Sequence, residues 1–207
     1  MSNTSIREYN LIDSCVIYKT KDTYGDLSNM ASGYSIQLYN SVFKTSEALY
    51  QVCKFPNHPE IQQEILSINS PMTAKMKAKK NSDFIRKDWD SIRVAIMRWA
   101  LSMKLCHNYE KFSTLLLSTG ERTIVENSKK DDFWGAKKVQ DKLIGTNALG
   151  RLLMELRAKV KDNDLYSIFV VAPPNVPDVK ILGELVTTID LRKEYLSKII
   201  KKLNIET

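Results

Sequence analysis

Two periodicities meet between residues 43 and 46, and that junction limits the fold more than any other feature of the chain. Tyr34 to Phe43 alternates apolar and polar side chains around a turn near Asn40 and Ser41, the period of a hairpin that buries one face. From Thr45 onward Ala48, Leu49, Val52, Cys53 and Phe55 recur at steps of three and four, the helical period, and Pro56 ends the run. A chain that changes period within a few residues has to put a sheet and helices around one core. The fold class is therefore α+β.

The rest of the chain is mainly helical. Val16 to Tyr18 reads as a short strand, Pro59 to Ile68 as a helix, and Ser70-Pro71 as the capped start of another that runs to Lys80. Asp88 is placed to cap a long helix with the stripe Ile92, Ala95, Ile96, Trp99 and Met103, and Asn108 to cap the next, which stops at Thr119-Gly120. Ser128 to Thr146 shows no clear period, is rich in lysine and contains Gly135 and Gly145, so it reads as a long irregular loop. A helix from Ala148 to Val160 follows, then a strand at Tyr166 to Val171, a break at Pro173-Pro174, a strand within Lys180 to Thr187, and an amphipathic helix from Asp190 to Leu203. The expected organisation is an N-terminal tail over residues 1–14, one catalytic α+β domain with a small sheet over residues 15–160, and a β/α extension over residues 161–207 packed on it.

Composition and the missing motifs exclude several classes. No stretch approaches the ~18 apolar residues of a membrane helix, and Met1 to Asn10 lacks the apolar core of a secretory signal, so the expected location is cytoplasmic, with no membrane partner. Cys15, Cys53 and Cys106, odd in number and widely spaced, suit free thiols. With His58 and His107 they form no CxxC pair and no HExxH, so no metal site is expected. The chain has no GxxxxGK[ST], no strand-linked GxGxxG and no GxSxG, which argues against triphosphatase, dinucleotide-dependent and serine-hydrolase chemistry; no cofactor is expected. A formal charge of +7 favours anionic partners, phosphorylated metabolites or nucleic acid, although the runs Lys75 to Lys80 and Lys198 to Lys202 read most simply as solvated helix faces.

Three groups of polar and aromatic residues remain. Glu47, Tyr50 or Gln51, and Lys54 share a helical face opposite the apolar set; on pattern alone this is a solvated face as readily as a site. Asp131-Asp132-Phe133-Trp134-Gly135 lies in the long loop, and Asn147 can cap the following helix, whose free amides and dipole suit a phosphate. Arg86-Lys87-Asp88-Trp89 offers a cation, a carboxylate and a large ring, able to hold phosphate and stack a base or to cap a helix and fill the core.

In order, Ser28-Asn29 after Tyr24-Gly25, TSEALYQVCKF (residues 45–55), SPMTAK (70–75), RKDW (86–89) with Met97 beyond it, LLLSTGERTIVENS (115–128), DDFWG (131–135) and GTNALGRLLMELR (145–157) resemble the succession of motifs in the NADAR/YbiA family. The resemblance runs from about Tyr18 to Arg157. It implies a small α+β hydrolase of N-glycosidic bonds that join a nitrogen heterocycle to a phosphorylated ribose. Removal of ADP-ribose from guanine is favoured; the alternatives are cleavage of ribosylamino-pyrimidine phosphate intermediates of riboflavin biosynthesis and non-catalytic binding of ADP-ribose or a nucleotide. Breaking such a bond builds positive charge on the sugar, which a carboxylate stabilises while a proton donor assists the base. By resemblance Glu47 is that carboxylate, Lys54 a proton donor, anion holder or nucleophile, and Asp132 the second carboxylate or a ribose ligand. Trp89 and Trp134 would stack the base; Ser28, Asn29, Tyr50, Gln51, Arg86, Gly135 and Asn147 would bind the remainder of the substrate. The chain departs from the family pattern at Ala136, where an aspartate is common, and in Lys137 to Ile144, where a glycine-rich link is usual.

Overall fold

The computed structural model describes residues 5–205. The chain enters as two short strands, β1 (Arg7–Asn10) and β2 (Ser14–Ile17), so sheet structure begins inside the segment expected to be a tail. β3 (Ile36–Leu38) and β4 (Ser41–Phe43) form the expected hairpin, with Ile36 opposite Phe43 and Tyr39 in its turn at φ +52°. α1 (Ser46–Val52) starts where the period changes, and the Thr45 hydroxyl accepts the Ala48 N–H at 3.2 Å. α2 (Pro59–Leu66) and α3 (Pro71–Lys80) follow; Ser70 caps α3 by accepting from the Thr73 N–H at 3.3 Å, ahead of a first-turn proline.

α4 (Trp89–His107) and α5 (Tyr109–Ser118) occupy their expected places, but neither is capped as expected. The Asp88 carboxylate is taken up by Arg86, at 2.6 and 2.9 Å. The Asn108 amide turns back and donates to the carbonyls of Lys104 and Ser35, both at 3.0 Å, so it closes the end of α4 instead of opening α5.

β5 (Thr123–Glu126) lies parallel to β2, with Ile17 opposite Glu126. The presumed loop 128–146 contains a hairpin, β6 (Lys137–Val139) and β7 (Lys142–Gly145), turned at Gln140 with φ +54° and extended by β1 into a three-stranded sheet. Leu143 is the buried apolar side chain of this hairpin and lysines dominate the rest, so no alternation shows in the sequence. α6 (Ala148–Lys161) follows. Where a strand was expected at 166–171, α7 (Leu165–Phe169) forms because the Asp164 carboxylate accepts the Ser167 N–H at 3.1 Å; Val170–Val171 alone is extended, as β8. The expected strand at 180–187 is a tight hairpin, β9 (Lys180–Ile181) and β10 (Glu184–Leu185), reversing through Leu182 and Gly183 at φ +51° and +89°. β11 (Ile189–Asp190) pairs with β8, and α8 (Arg192–Ile205) closes the described chain.

One hydrophobic cluster joins these elements. α4 contributes Ile96, Trp99, Ala100 and Met103, while Ile168, Phe169, Val171, Val179, Ile181 and Val186 of the C-terminal segment complete the same cluster. Burying each large apolar side chain is worth about 1.5–3 kcal/mol. Lys104 runs through this core, its ammonium donating to the Asp26 and Ser28 carbonyls at 2.7 and 2.9 Å and lying 4.4 and 4.2 Å from the Tyr34 and Phe112 ring centroids. It thereby fixes the 26–28 turn that leads into the site. No helix among the described residues is long and apolar enough to cross a membrane. Cys15, Cys53 and Cys106 are buried free thiols.

Candidate active site

Every residue of α1 is buried, including the face that on pattern alone could have been solvated, because α2, α3, α4 and β4 pack around this short helix. Glu47, 2% exposed, lies on the inner face. The amides of Asn29 and Gln51 donate to its two carboxylate oxygens, Gln51 at 2.7 Å. Asn29 is held in return, its carbonyl accepting the Glu47 N–H at 2.9 Å and the Ser46 hydroxyl at 3.1 Å. Burial raises the pKa of the Glu47 carboxyl, a rise that the Gln51 donor and the charges of Lys75 and Lys54 only partly offset.

Glu47 opens on a cavity of about 220 Å³. Aromatic rings form one side: Tyr50 stands 4.9 Å from Trp89 and 5.7 Å, edge-on, from Trp134. The Lys54 ammonium lies 5.3 and 5.8 Å from the Trp89 and Tyr50 centroids, and burial lowers its pKa against the opposing pull of Glu47. The cavity is also lined by Lys75 of α3, Arg93 of α4, Glu126 at the end of β5, and Asp131. The Arg93 guanidinium covers the Phe133 ring at 3.8 Å, and its Nε is buried with no partner among the described residues. The Asp131 carboxylate accepts the N–H groups of Phe133 and Trp134 at 3.0 and 2.9 Å, a turn that brings Trp134 to face Tyr50. Glu126 is pushed up to about 7 by burial, reinforced by the Asp131 and Glu47 charges and opposed by Lys75.

Of the residues expected from the sequence, Glu47, Lys54, Asn29, Tyr50, Gln51, Trp89 and Trp134 meet in this cavity. Asp132 does not: it lies on the surface, paired with Lys137 at 2.6 Å, which holds its carboxyl below the usual range. Ser28 turns its hydroxyl to the Met30 N–H at 3.2 Å and its carbonyl to Lys104, a structural part in the turn. Arg86 points away from the cavity, bound to Asp88 and to the carbonyls of Pro177 and Asp178 at 2.8 and 3.2 Å.

The anion site expected at the start of α6 is already filled by the protein. The N–H groups of Thr146, Asn147, Ala148 and Leu149 donate to the carbonyls of Asp132, Gly135, Phe133 and Trp134 at 2.6 to 3.0 Å. Asn147, fully buried at φ +50°, uses its side chain on β5: Oδ1 accepts the Glu126 N–H at 3.1 Å and Nδ2 donates to the Ile124 carbonyl at 2.8 Å. Gly135 admits a backbone, not a ligand, since a Cβ there would meet the Glu126 carbonyl at 2.5 Å.

Sequence reasoning passed over Glu126 and Arg93, chose Asp132 over its neighbour Asp131, and read Lys75 as part of a solvated run. A period-2 reading of Thr123 to Glu126 puts Glu126 on the same strand face as the buried Ile124, a signal that could have found it. Lys75 was hidden in a lysine run, where one member faces the cavity.

The fold and cavity define a small α+β protein whose site sets buried carboxylates and cations against aromatic rings. Comparison with known proteins agrees with that description. The NADAR domain model matches residues 16–161, and the chain belongs to this family. It is 36% identical over 143 residues to N-glycosidase YbiA of Escherichia coli, covering 69% of this chain and 86% of that protein. It is 35% identical over 157 residues to the chloroplastic riboflavin biosynthesis protein PYRR of Zea mays, covering 69% of this chain and 24% of that one. The NMR structure of E. coli YbiA superposes with a TM-score of 0.63 at 34% identity, over 73% of this chain and 87% of that one.

Proposed function

We propose that the protein is an N-glycosyl hydrolase acting on a bond between a nitrogen heterocycle and a phosphorylated ribose. One observation carries the reading: Glu47 is a buried carboxylate, oriented by two amide donors, at the base of a cavity walled by Tyr50, Trp89 and Trp134. As the C1′–N bond lengthens, positive charge grows on the sugar, and a fixed carboxylate in a water-poor site stabilises that charge without reorganising. The rings supply stacking surfaces for a flat base. With Arg86, Asn147 and Gly135 engaged elsewhere, Lys75 and Arg93, which line the cavity, take over the expected role of holding phosphate.

For the leaving group, the reading we place first is guanine, released from ADP-ribosylated nucleic acid or nucleotide. Lys79 and Lys80 continue along α3 beyond Lys75 and suit a polyanionic substrate. The second reading, a ribosylamino-pyrimidine phosphate, is favoured by the names of the Zea mays relative and of a riboflavin biosynthesis protein of Vibrio vulnificus, 30% identical over 151 residues. The test is product analysis of wild type and Glu47→Gln on guanine-ADP-ribosylated DNA and, separately, on the pyrimidine phosphate. Release of ADP-ribose or of ribose phosphate by the wild type, reduced at least 100-fold in the variant, supports the reading and names the substrate. Ligand binding without release by the wild type points to a non-catalytic binding module instead.

A further inference from the structure

The strongest unexplained feature of the site is Glu126. Its backbone is held on three sides: β5 is paired with β2, its N–H is bound by the Asn147 side chain, and its carbonyl accepts the Ala136 N–H at 2.8 Å. The glycines of the last two motifs serve the same arrangement. A Cβ on Gly135 would meet the Glu126 carbonyl at 2.5 Å, and one on Gly150 the Ile124 carbonyl at 2.0 Å. The carboxylate at the end of this frame lines the cavity, and no described residue hydrogen-bonds it. Frame and side chain are thus opposites, the one fully bonded and the other free.

We propose that Glu126 is the acid that protonates the departing base, opposite an ionised Glu47, and that Asn147 is its positioning residue. This assignment rests on the glycosidase reading. The division of labour follows from hydrogen bonding. Burial raises both carboxyls, but each Glu47 oxygen accepts an N–H, which favours its carboxylate, whereas Glu126 has no hydrogen-bond donor among the described residues to stabilise its charge and is free to present a proton. Burial beside Asp131 and Glu47 keeps it protonated up to about 7. In the reaction the C1′–N pair leaves with the base, whose nitrogen takes the Glu126 proton. Water adds its oxygen to C1′ and gives one proton to Glu47, and exchange with solvent restores both groups.

Two measurements test this. In protein labelled with ¹³C at the glutamate carboxyl, one resonance is expected to titrate near 7 and to be missing from Glu126→Gln; titration of that resonance in the ordinary range, near 4.3, overturns the proposal. On whichever substrate the wild type cleaves, kcat is expected to fall on the alkaline side around pH 7. Glu126→Gln is expected to lower kcat at pH 6 by about 10²–10⁴-fold, with KM within threefold, and to abolish that alkaline fall. A variant that keeps wild-type kcat, or keeps the alkaline fall, sinks the assignment alone. A wild type that cleaves neither substrate sinks the glycosidase reading, and this assignment with it.

Discussion

Asn147→Ala separates a bracket from a ligand-binding asparagine. The side chain is fully buried and satisfies two backbone groups of β5, the Glu126 N–H and the Ile124 carbonyl. Truncation leaves both without a partner in a region closed to water, at about 1–3 kcal/mol each. The position also sits at φ +50°, ψ +46°, where alanine costs a further ~1 kcal/mol or more. A loss of about 4 kcal/mol is expected, which for a chain of this size lowers Tm by about 8–16 °C. Urea and thermal unfolding at one pH measure it. Asn147→Gly removes the same bonds without the Cβ and should recover about 1 kcal/mol, which isolates the backbone contribution. If Asn147→Ala melts within a degree or two of wild type while KM for a phosphorylated ligand rises, the bracket is refuted and the asparagine contacts substrate.

Four further outcomes follow from the structure. Lys104 is lowered to about 7 by burial, while the same group in the unfolded chain titrates near 10.4; between those values the unfolded chain holds more protons, so this residue makes stability rise with pH through that window and contributes no slope below it. The difference in urea midpoint between wild type and Lys104→Met, followed from pH 6 to 9.5, should therefore grow above pH 7, and a flat difference contradicts the buried-lysine reading. Asp132→Asn should leave kcat within twofold of wild type, because the carboxylate is on the surface with Lys137, whereas Asp131→Ala should lower it at least tenfold by releasing the turn that aims Trp134; steady-state kinetics decide. Phe169→Ala should cost about 3–5 kcal/mol, since the ring is buried and stacks on Tyr195 at 4.1 Å; urea unfolding measures it.

The sequence made the helices and one half of the site legible, and the reasons differ from residue to residue. α1 and the β3–β4 hairpin showed because their periods are clean and the change between them is abrupt. The β6–β7 hairpin was hidden because lysines fill positions that usually alternate, so register rests on Leu143 and on pairing with β1. Adjacent aspartates at 131 and 132 offer the same chemistry in one dimension; only the turn, with two N–H groups converging on Asp131, sends one inward and the other to Lys137. Gly135 and Gly145 both sit at close approaches. What approaches is backbone, the Glu126 and Gly135 carbonyls respectively, and a glycine cannot say whether its neighbour is chain or ligand.

The same limit applies to Arg86, and there it changes what the C-terminal segment means. A cation three residues before a helix reads as a phosphate ligand. Its backbone N–H instead donates to the Lys54 carbonyl at 2.9 Å, and its guanidinium ties Asp88, next to Trp89, to the carbonyls of Pro177 and Asp178. Gln62 makes a parallel tie, donating to the Val52 carbonyl at 3.0 Å and the Lys180 carbonyl at 2.8 Å and accepting the Leu182 N–H at 2.6 Å. Both ties join residues beyond 161 to the end of α1, just before Lys54, and to the start of α4, which carries Trp89. The family match stops at residue 161, yet the wall of the cavity is braced from outside it. Loosening that brace, as in Arg86→Ala, should therefore move the aromatic and cationic wall relative to Glu47 and lower kcat.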